Sequence, residues 1–362
     1  MRGGVHRYAA QESLRIDAAT AQKGRFRMKT SLYKKGSACL KTAPVTVITA
    51  VYNAERFLRE TVESVSKQQL LPVQHLLVDD CSTDGSLDLA RELEKEFPLV
   101  RVVSLETNGG YPAALNAGLR EAASEYVGIL DSDDIAMPHW LASVVPVLDG
   151  NPDIGSAGGG GVIMTHDGLV TGHAKYCSQA GDVTAEVMAG KYAILHPGSV
   201  HRRDFLLKTG GYNPRLRSAE DCDMFLNMAS VARLVNVGEL LIYYRRLPGS
   251  ESRKTPEFAA LAEAYLAQKA QMLSAGKSLP ATNAELASLV NALAALPRLA
   301  PLVKGAYEYE MAEALRRGDR RLCASRFYFA SAISGHKRFL CCRRALRCLM
   351  PRLKSTSEPK KA

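Results

Sequence analysis

Three carboxylates stand together where an apolar run ends. Residues 127–130, VGIL, have the composition of a buried strand, and Asp131, Ser132, Asp133 and Asp134 follow at once. Neighbouring carboxylates repel one another, and each raises the pKa of the next unless a positive charge compensates. The usual compensation is a bound cation, so the stretch predicts a cation site. The alternative is a cluster that only caps the end of the strand.

Polar residues also follow two other segments that have the pattern of buried strands. Strand and helix patterns alternate through this part of the chain, which is typical of parallel βαβ units in an α/β sandwich. In such sheets, ligands bind beyond the carboxyl ends of the strands. We therefore expect all these polar residues to meet Asp131 and Asp133 at one edge of the sheet. They are Tyr52 and Asn53 after PVTVITAV, and Asp79 and Asp80 after VQHLLV.

The remaining patterns extend the same sandwich. Residues 196–229 predict a strand, a helix, a Gly-Gly turn and a second helix, and residues 158–161 are GGGG. We interpret the glycines as a strand with turns, because no GK[ST] follows them as a phosphate loop requires. Strand patterns lie within 44–53, 73–86, 100–106, 125–134 and 234–246, and helical patterns lie within 54–69, 86–97 and 108–122.

The net charge of +10 is unevenly distributed. Residues 1–44 carry +8 and residues 335–362 carry +8, so the middle of the chain carries −6. An acidic middle argues against a nucleic-acid groove. From charge and composition we predict five parts: a disordered basic N-terminal extension (1–44), the α/β domain (45–246), a linker (247–256), a helical C-terminal region (257–350) and a disordered tail (351–362).

The C-terminal stretch HKRFLCCRRALRCLMPRLK has basic and apolar residues at roughly helical spacing. A basic helix with an apolar face can lie on an anionic membrane, so it predicts peripheral contact, with an ordinary docking helix as the alternative. The first thirty residues lack the apolar core of a secretory signal, and no apolar run is long enough to span a bilayer. We therefore expect a cytoplasmic protein with reduced cysteines, at most peripheral on the inner face of the membrane.

Five segments together resemble the family 2 glycosyltransferases, which are inverting enzymes with the GT-A fold. They stand in the order and at the spacings of that family and lie within residues 45–246, which would then be a GT-A catalytic domain with a mostly parallel sheet flanked by helices. The combination is specific, although each acidic turn alone is common. The segments are TAVYNAERFLRETVESV, VDDCSTDGS, NGGYPAALNAGL, GILDSDDIAMP and GGYNPRLRSAEDCDMFLNM.

The resemblance implies a nucleoside-diphosphate sugar as donor and a divalent cation, Mn²⁺ or Mg²⁺, as cofactor. Asp133 would hold the metal, and Asp131 would face the ribose or the sugar. Asp80 would accept a hydrogen bond from the uracil imide, which favours a UDP-sugar. Asp79 would orient its loop within the donor site. For Asp79 and Asp80 the alternative is a turn that caps the next helix.

Four further donor-site residues are implied with plainer alternatives. Tyr52 would lie beside the base or would be a core tyrosine, and Asn108 would begin a loop whose glycines let the backbone approach the nucleotide. His196 would support the donor from behind or would be purely structural. Arg246, beside Arg245 at the end of the final strand, would lie near the diphosphate.

The family's general base is the Asp of an ED motif, which matches Asp221 in SAEDCD. An acceptor hydroxyl is a poor nucleophile until its proton is removed, so one carboxylate opposite the diphosphate suffices for direct displacement. A helix cap would also favour Asp at this position. Glu220 would brace the loop and Asp223 would face elsewhere. Cys222 replaces the family's usual aromatic residue, which puts packing on the acceptor side in doubt.

These residues predict a metal-dependent inverting glycosyltransferase that serves cell-surface polysaccharide synthesis, with a glycan or lipid-linked acceptor. An inactive sugar-nucleotide-binding module is the main alternative, although Asp133 and Asp221 are both present. A sugar nucleotidyltransferase would carry a basic Gly-rich loop after the first strand, and TAVYNAERF has none. A processive synthase would carry membrane spans and a Q-x-x-R-W signature. The sequence shows neither, which favours the transfer of one or a few sugars.

Overall fold

The computed structural model describes residues 41–174, 179–214, 216, 219–247 and 269. The described strands are β1 (Thr42–Val51), β2 (Leu71–Asp79), β3 (Val100–Ser104), β4 (Tyr126–Ile129), β5 (Ile135–Ala136), β6 (Ile154–Thr165), β7 (Val170–His173), β8 (Gly181–Asp182), β9 (Val200–Arg202) and β10 (Arg233–Arg246). The described helices are α1 (Leu58–Ser66), α2 (Ser86–Glu96), α3 (Tyr111–Glu121), α4 (Trp140–Asp149), α5 (Thr184–Met188), α6 (Arg203–Lys208) and α7 (Glu220–Ala229).

These strands form one twisted sheet in the order β3-β2-β1-β4-β9-β6-β10-β5, with β7 beside β6 and β8 beside β10. The pairs among β1 to β4 are all parallel, as the alternating strand and helix patterns predict. The other half is mixed: β9 runs antiparallel to both β4 and β6, whereas β10 runs parallel to β6. The three residues of β9 therefore join the parallel half of the sheet to the mixed half.

The side chains of β1 alternate between two hydrophobic layers, as a strand buried on both faces requires. Ile48 lies in the layer that contains Leu115 of α3 and Met224 of α7. Val47 lies in the opposite layer, where Trp140 of α4 is fully buried. The structure is thus the α/β sandwich expected from the sequence, with helices packed on both faces of the sheet.

The glycine run at 158–161 lies inside β6, in agreement with its interpretation as a strand. A Cβ on Gly159 would lie 2.6 Å from the carbonyl oxygen of Glu239 on β10, so only glycine permits this close approach. Gly159 therefore permits the close pairing of β6 with β10, and the glycine run is part of a strand and not a phosphate loop.

Two loops at the carboxyl edge are cross-linked by hydrogen bonds. The amide of Asn53, after β1, donates to Ser82 Oγ at 3.1 Å, and the amide of Thr83 donates back to Asn53 Oδ1 at 2.8 Å. Ala54 N donates to Ser86 Oγ at 2.7 Å, at the start of α2. The polar residues after β1 and β2 thus form one connected rim.

Several predictions concern residues outside the described part of the chain. They are the N-terminal extension before residue 41, the linker, the helical C-terminal region apart from Lys269, the basic stretch proposed to contact a membrane, and the tail. Within the described part, no helix combines the length and the apolar character that crossing a membrane needs.

Candidate active site

The three carboxylates of the acidic loop after β4 point in different directions. Asp131 and Asp133 are partly exposed, whereas Asp134 is fully buried. Asp134 Oδ1 accepts a hydrogen bond of 2.7 Å from the amide of Arg245 on β10, and Asp134 Oδ2 is buried without a hydrogen-bond partner. Burial and the charge of Asp133 raise the pKa of Asp134 well above its usual range. Asp134 therefore ties the loop to β10, and Asp131 and Asp133 remain on the rim.

Arg245 holds this loop from beneath. Its side chain is 4% exposed, and its Nε donates to the carbonyl oxygen of Asp133 at 2.7 Å. The same guanidinium pairs with Glu60 Oε2 at 2.7 Å, donates to the carbonyl oxygen of His166 at 3.3 Å and lies 4.4 Å from the ring centroid of Phe57. Arg245 thus points into the protein and fixes the backbone of Asp133. Arg246 follows it, partly buried, at the end of β10.

Asp80 organises the loop before α3. Its two carboxylate oxygens accept hydrogen bonds of 2.8 Å from the amides of Gly109 and Gly110. Asn108 donates from its side chain to the carbonyl oxygen of Asp80 at 2.9 Å. The structure therefore brings together Asp80 and Asn108, which are 28 positions apart in sequence and were both predicted to bind the sugar nucleotide. Because a carboxylate offers about four lone-pair sites, Asp80 keeps capacity for a further donor.

Asp79 and Tyr52 flank this loop. Asp79 is buried at the end of β2, where Oδ2 accepts from the amide of Ser82 at 3.2 Å and Oδ1 has no hydrogen-bond partner. A buried carboxylate oxygen without a donor is costly and indicates a missing partner. Tyr52 is 43% exposed, which excludes the alternative of a core tyrosine and leaves its ring open to a stacking ligand.

A chain of buried polar side chains stands behind Asp131. The hydroxyl of Tyr111, on α3, donates a hydrogen bond to Asp131 Oδ1. His196 Nδ1 lies 3.5 Å from the hydroxyl of Tyr111, and His196 Nε2 lies 2.9 Å from the hydroxyl of Tyr212. Burial lowers the pKa of His196 to about 4, so its ring is neutral at physiological pH. His196 therefore reaches Asp131 only through Tyr111.

Asp221 and Glu220 occupy the first turn of α7 and face the same rim. Asp221 Oδ1 accepts a hydrogen bond of 2.7 Å from the amide of Cys222. Burial and the charge of Asp221 raise the pKa of Glu220 to about 8. Burial raises the pKa of Asp131 to about 7, with smaller contributions from Asp133 and from Asp221. The two acidic motifs, about 90 residues apart in sequence, are thus close enough for their charges to interact.

Backbone strain marks the same rim. In the described residues, the non-glycine positions with positive φ are Asn53 (52°), Cys81 (58°) and Ala219 (59°). This left-handed conformation is uncommon for such residues and is often found at functional sites. Asn53 follows Tyr52, Cys81 follows Asp80, and Ala219 precedes Glu220. Each of these three positions therefore lies within two residues of a predicted site residue.

Comparison with known proteins agrees with this geometry. The model of the family described as Glycosyl transferase family 2 matches residues 46–191. Residues 46–191 thus match glycosyltransferase family 2, and we call the α/β domain that contains them the family 2 domain. The resemblance that the sequence motifs indicated is therefore confirmed.

A relative and two solved structures extend the comparison. The chain is 44% identical over 90 residues to a putative teichuronic acid biosynthesis glycosyltransferase, TuaG, of Bacillus subtilis (strain 168), a match that covers 25% of this chain and 36% of TuaG. The crystal structure of S. aureus TarS 1–349 in complex with UDP-GlcNAc has a TM-score of 0.52 at 20% identity, covering 84% of this chain and 90% of that one. GalNAc-T7 with UDP, GalNAc and Mn²⁺ has a TM-score of 0.50 at 15% identity, covering 71% of this chain and 55% of that one.

These likenesses establish the fold and limit what else follows. Both solved structures are GT-A glycosyltransferases, so the GT-A fold is confirmed. The chain covers 26% of a relative from Sinorhizobium fredii and 64% and 65% of relatives from Nostoc sp. and Haemophilus influenzae. It therefore spans between a quarter and two thirds of the length of the first curated relatives it matches.

The family 2 domain offers oxygen ligands to a cation but no complete cage. Among the described residues, no three or more His, Cys, Asp or Glu side chains are grouped to hold a metal ion by themselves. Asp133 and Asp131 lie on the rim, whereas Asp134 is turned inward. This donor set fits a hard cation such as Mg²⁺ or Mn²⁺, which needs only one or two protein carboxylates when phosphates and water complete its shell.

Sequence reasoning passed over Tyr111 and Tyr212, and it left the direction of Arg245 undecided. Each tyrosine directly follows a pair of glycines, in NGGY and in GGY, and this shared position is the only local signal. The side chain of Asn116 holds both backbone polar groups of Tyr212, at 2.7 and 2.9 Å, and a Cβ on Gly211 would lie 2.6 Å from Asn116 Oδ1. The second glycine pair therefore allows α3 to approach Tyr212.

Proposed function

We propose that this protein is a metal-dependent inverting glycosyltransferase. It transfers a sugar from a nucleoside-diphosphate sugar, preferably UDP-linked, to a saccharide or lipid-linked oligosaccharide. The observation that carries the proposal is the meeting of Asp131 and Asp133 with Asp221 at one edge of the sheet. This edge is where open α/β sheets bind ligands.

The donor lies across the ends of β1, β2 and β4 in this proposal. Tyr52 stacks on the base, and Asp80 accepts from the base while its loop, anchored through Asn108, approaches the nucleotide. The buried Asp79 Oδ1, which lacks a donor in the protein, supports a polar ligand group here. Asp131 faces the ribose or the sugar, and Arg246 lies on the diphosphate side.

Asp133 holds the divalent cation, with Asp131 beside it. A bound Mg²⁺ or Mn²⁺ would neutralise the diphosphate and stabilise it as a leaving group. The presence of Mn²⁺ with UDP in GalNAc-T7, a protein of the same fold, supports a divalent cation in general. The protein's own part is to keep the carbonyl of Asp133 fixed through Arg245, so that the carboxylate is presented in one orientation.

Asp221 acts as the general base. It takes the proton of the acceptor hydroxyl while that oxygen forms a bond to the anomeric carbon of the sugar. The bond from this carbon to the diphosphate oxygen breaks at the same time, and the nucleoside diphosphate leaves with the electron pair. A single displacement inverts the anomeric centre, so an α-linked donor gives a β-linked product.

The acceptor belongs to cell-surface polysaccharide synthesis in this proposal. The name of TuaG, a teichuronic acid biosynthesis glycosyltransferase, supports this class of acceptor. The basic C-terminal stretch, outside the described residues, would let the protein work in the cytoplasm at the inner face of the membrane on a lipid-linked acceptor. Co-sedimentation with anionic vesicles that persists after deletion of residues 336–362 would contradict this membrane contact.

The testing experiment is a panel of sugar nucleotides: UDP-glucose, UDP-galactose, UDP-N-acetylglucosamine, GDP-mannose and dTDP-rhamnose. Thermal shift and slow nucleotide release are measured with Mn²⁺ or with EDTA. We expect one UDP-sugar to stabilise the protein only with metal. Asp133→Ala should abolish this stabilisation, whereas Asp88→Asn, which changes an exposed carboxylate on α2, should not.

A second variant separates binding from chemistry. Asp221→Asn should keep the thermal shift but slow nucleotide release by roughly 10²- to 10⁴-fold, the usual contribution of a general base. If no sugar nucleotide binds with any metal, the rim is not a working donor site and the proposal fails. If Asp221→Asn releases nucleotide at the normal rate, the base is another group.

A further inference from the structure

The chain of hydrogen bonds from the partly exposed Asp131 to the buried Tyr212 has a defined direction. Tyr111 has one hydroxyl proton, and it donates that proton to Asp131. Because that proton is used, His196 Nδ1, which lies 3.5 Å from the Tyr111 oxygen, can only donate a hydrogen bond to it. A neutral imidazole carries one proton, so Nε2 of His196 is left to accept from the hydroxyl of Tyr212 at 2.9 Å. Every hydrogen-bond donor in this series of side chains therefore points toward Asp131.

The far end of the chain is firmly held. Tyr212 is buried, and Asn116 of α3 fixes its backbone through two hydrogen bonds. The ring of His196 meets the ring of Tyr212 edge-on at 5.5 Å and the ring of Phe225, on α7, at 5.9 Å. The chain thus connects the donor carboxylate after β4 with the helix that carries Asp221.

Burial keeps the chain in this protonation state. Burial raises the pKa of Tyr111 and of Tyr212 well above the usual range of a phenol, so both hydroxyls keep their protons. Hydrogen bonds arranged in series inside a protein strengthen one another, and a satisfied buried network holds its members in a single arrangement.

We propose that Tyr111, His196 and Tyr212 are positioning residues that hold Asp131 in its donor-binding orientation. Tyr111 acts directly on Asp131, His196 acts through Tyr111, and Tyr212 acts through His196. The inference rests on the proposed function of Asp131 and adds three residues to it. It predicts an order of effect along the chain, with Tyr111 the largest and Tyr212 the smallest.

The first measurement is the tautomer of His196. Long-range ¹⁵N–¹H NMR of the full-length protein labelled at histidine distinguishes the two nitrogens, and His196→Gln identifies the resonances. We expect the neutral tautomer with the proton on Nδ1. Tyr111→Phe removes the oxygen that receives this proton and should shift the ring toward the other tautomer. A wild-type ring protonated on Nε2 reverses the chain and overturns the inference.

The second measurement is the affinity for UDP in the presence of Mn²⁺, by calorimetry. Tyr111→Phe should weaken binding roughly tenfold, because a hydrogen bond to a charged group contributes about that factor or more. His196→Gln should have a smaller effect, and Tyr212→Phe the smallest. Tyr126→Phe is a matched control, since it removes a tyrosine hydroxyl that donates to Asp149 at 2.7 Å away from the rim.

The outcomes separate this inference from the proposed function. If wild-type protein binds neither UDP nor any sugar of the panel, the proposed donor site fails and the positioning role fails with it. If the wild type binds UDP with Mn²⁺ but Tyr111→Phe binds it as well as Tyr126→Phe does, the chain is structural and only this inference fails. A graded loss along the chain with unchanged affinity in Tyr126→Phe supports it.

Discussion

At the scale of single residues, the site depends on carboxylates that the fold forces together. Glu220 and Asp221 are adjacent in sequence, and burial with the charge of Asp221 raises the pKa of Glu220 to about 8. At neutral pH, Glu220 is therefore largely protonated and can donate a hydrogen bond beside the proposed base. The same crowding that costs stability keeps one member of the pair neutral.

This pair predicts a pH dependence of stability. The folded state of Glu220 binds its proton more tightly than the unfolded state, whose pKa is near the ordinary 4.5. Its contribution to the free energy of unfolding is therefore complete below about pH 4.5 and is lost as the pH rises toward 8. Glu220→Gln should remove this part of the slope, as measured by urea unfolding between pH 6.5 and 8.5.

The range from pH 6.5 to 8.5 lies above the pH values at which the buried histidines affect stability. Burial lowers the pKa of His75 to about 3 and of His196 to about 4. These histidines therefore lower the free energy of unfolding as the pH decreases, and this effect is confined to pH values below about 6.5. Asp131 contributes in the same direction as Glu220, up to about pH 7. The difference between wild type and Glu220→Gln isolates Glu220. Identical slopes in the two proteins would show that Glu220 is ionised throughout.

At the scale of elements, the acidic loop after β4 is held by the end of β10. Arg245 binds the carbonyl of Asp133 through its side chain and the carboxylate of Asp134 through its amide. These strand ends are 111 positions apart in sequence, so the loop is ordered by a tertiary contact and not by its own turn residues. The position of Asp133 therefore depends on the register of β10 in the sheet.

Replacement of Arg245 should damage both stability and metal affinity. Arg245→Ala leaves the carbonyl oxygens of Asp133 and His166 without their donor and should lower the free energy of unfolding by about 1–3 kcal/mol, since Glu60, its ionic partner, is 59% exposed. Arg245→Lys keeps the charge but cannot reach all its partners, so it should fold and require more Mn²⁺ for half-maximal UDP binding. Urea unfolding and Mn²⁺ titration in the presence of UDP measure the two effects.

Arg233 supplies the control for this prediction. It pairs with Asp153 and Asp182 but is 45% exposed, so Arg233→Ala should cost about 1 kcal/mol or less and leave the Mn²⁺ requirement unchanged. If Arg245→Lys has the Mn²⁺ requirement of the wild type, the clamp does not position Asp133.

At the scale of the whole molecule, one buried ion pair joins the family 2 domain to the chain that follows it. Lys269 Nζ pairs with Asp223 Oδ1 on α7, and their side chains are 3% and 2% exposed. Asp223 is thus the third carboxylate of SAEDCD and, as expected from the sequence, faces away from the base. Its partner, Lys269, lies beyond residue 247, in a part of the chain where the structure describes this residue alone. The helix of the proposed base is therefore anchored from outside the domain.

Breaking this pair should be strongly destabilising. Lys269→Met leaves the carboxylate of Asp223 buried without its cation and should lower the free energy of unfolding by about 3–5 kcal/mol. Lys269→Met combined with Asp223→Leu removes both charges and should recover most of that loss. Urea unfolding of the full-length chain measures the cycle.

The exposed pair of Lys67 with Glu63 on α1 is the matched control. Its members are 39% and 35% exposed, so Lys67→Met should cost about 1 kcal/mol or less. A Lys269→Met protein as stable as Lys67→Met would contradict the buried anchor. A double variant no more stable than Lys269→Met would show that the loss comes from packing and not from the unpaired charge.

The sequence alone was sufficient for the elements and for the rim. Alternating strand and helix patterns, and turn residues such as those of CSTDGS, act within windows of about ten residues, so they can be recognised locally. They predicted the parallel strands β1 to β4 and placed Asp80 and Asp131 at one edge, whereas Asp221 was assigned from the resemblance to a known family. The mixed pairing of β9 and the close contact of β6 with β10 carry no comparable local pattern.

The directions of side chains on that rim were decided only by the tertiary structure. Arg245 and Arg246 look equivalent in the sequence, yet one points beneath Asp133 because alternate residues of a strand face opposite sides. Tyr111 and Tyr212 meet at His196 because α3 and α7 pack on the same face of the sheet. A sequence specifies which residues can do chemistry through their types and spacing, but which of them touch depends on strand register and helix packing between segments about a hundred residues apart.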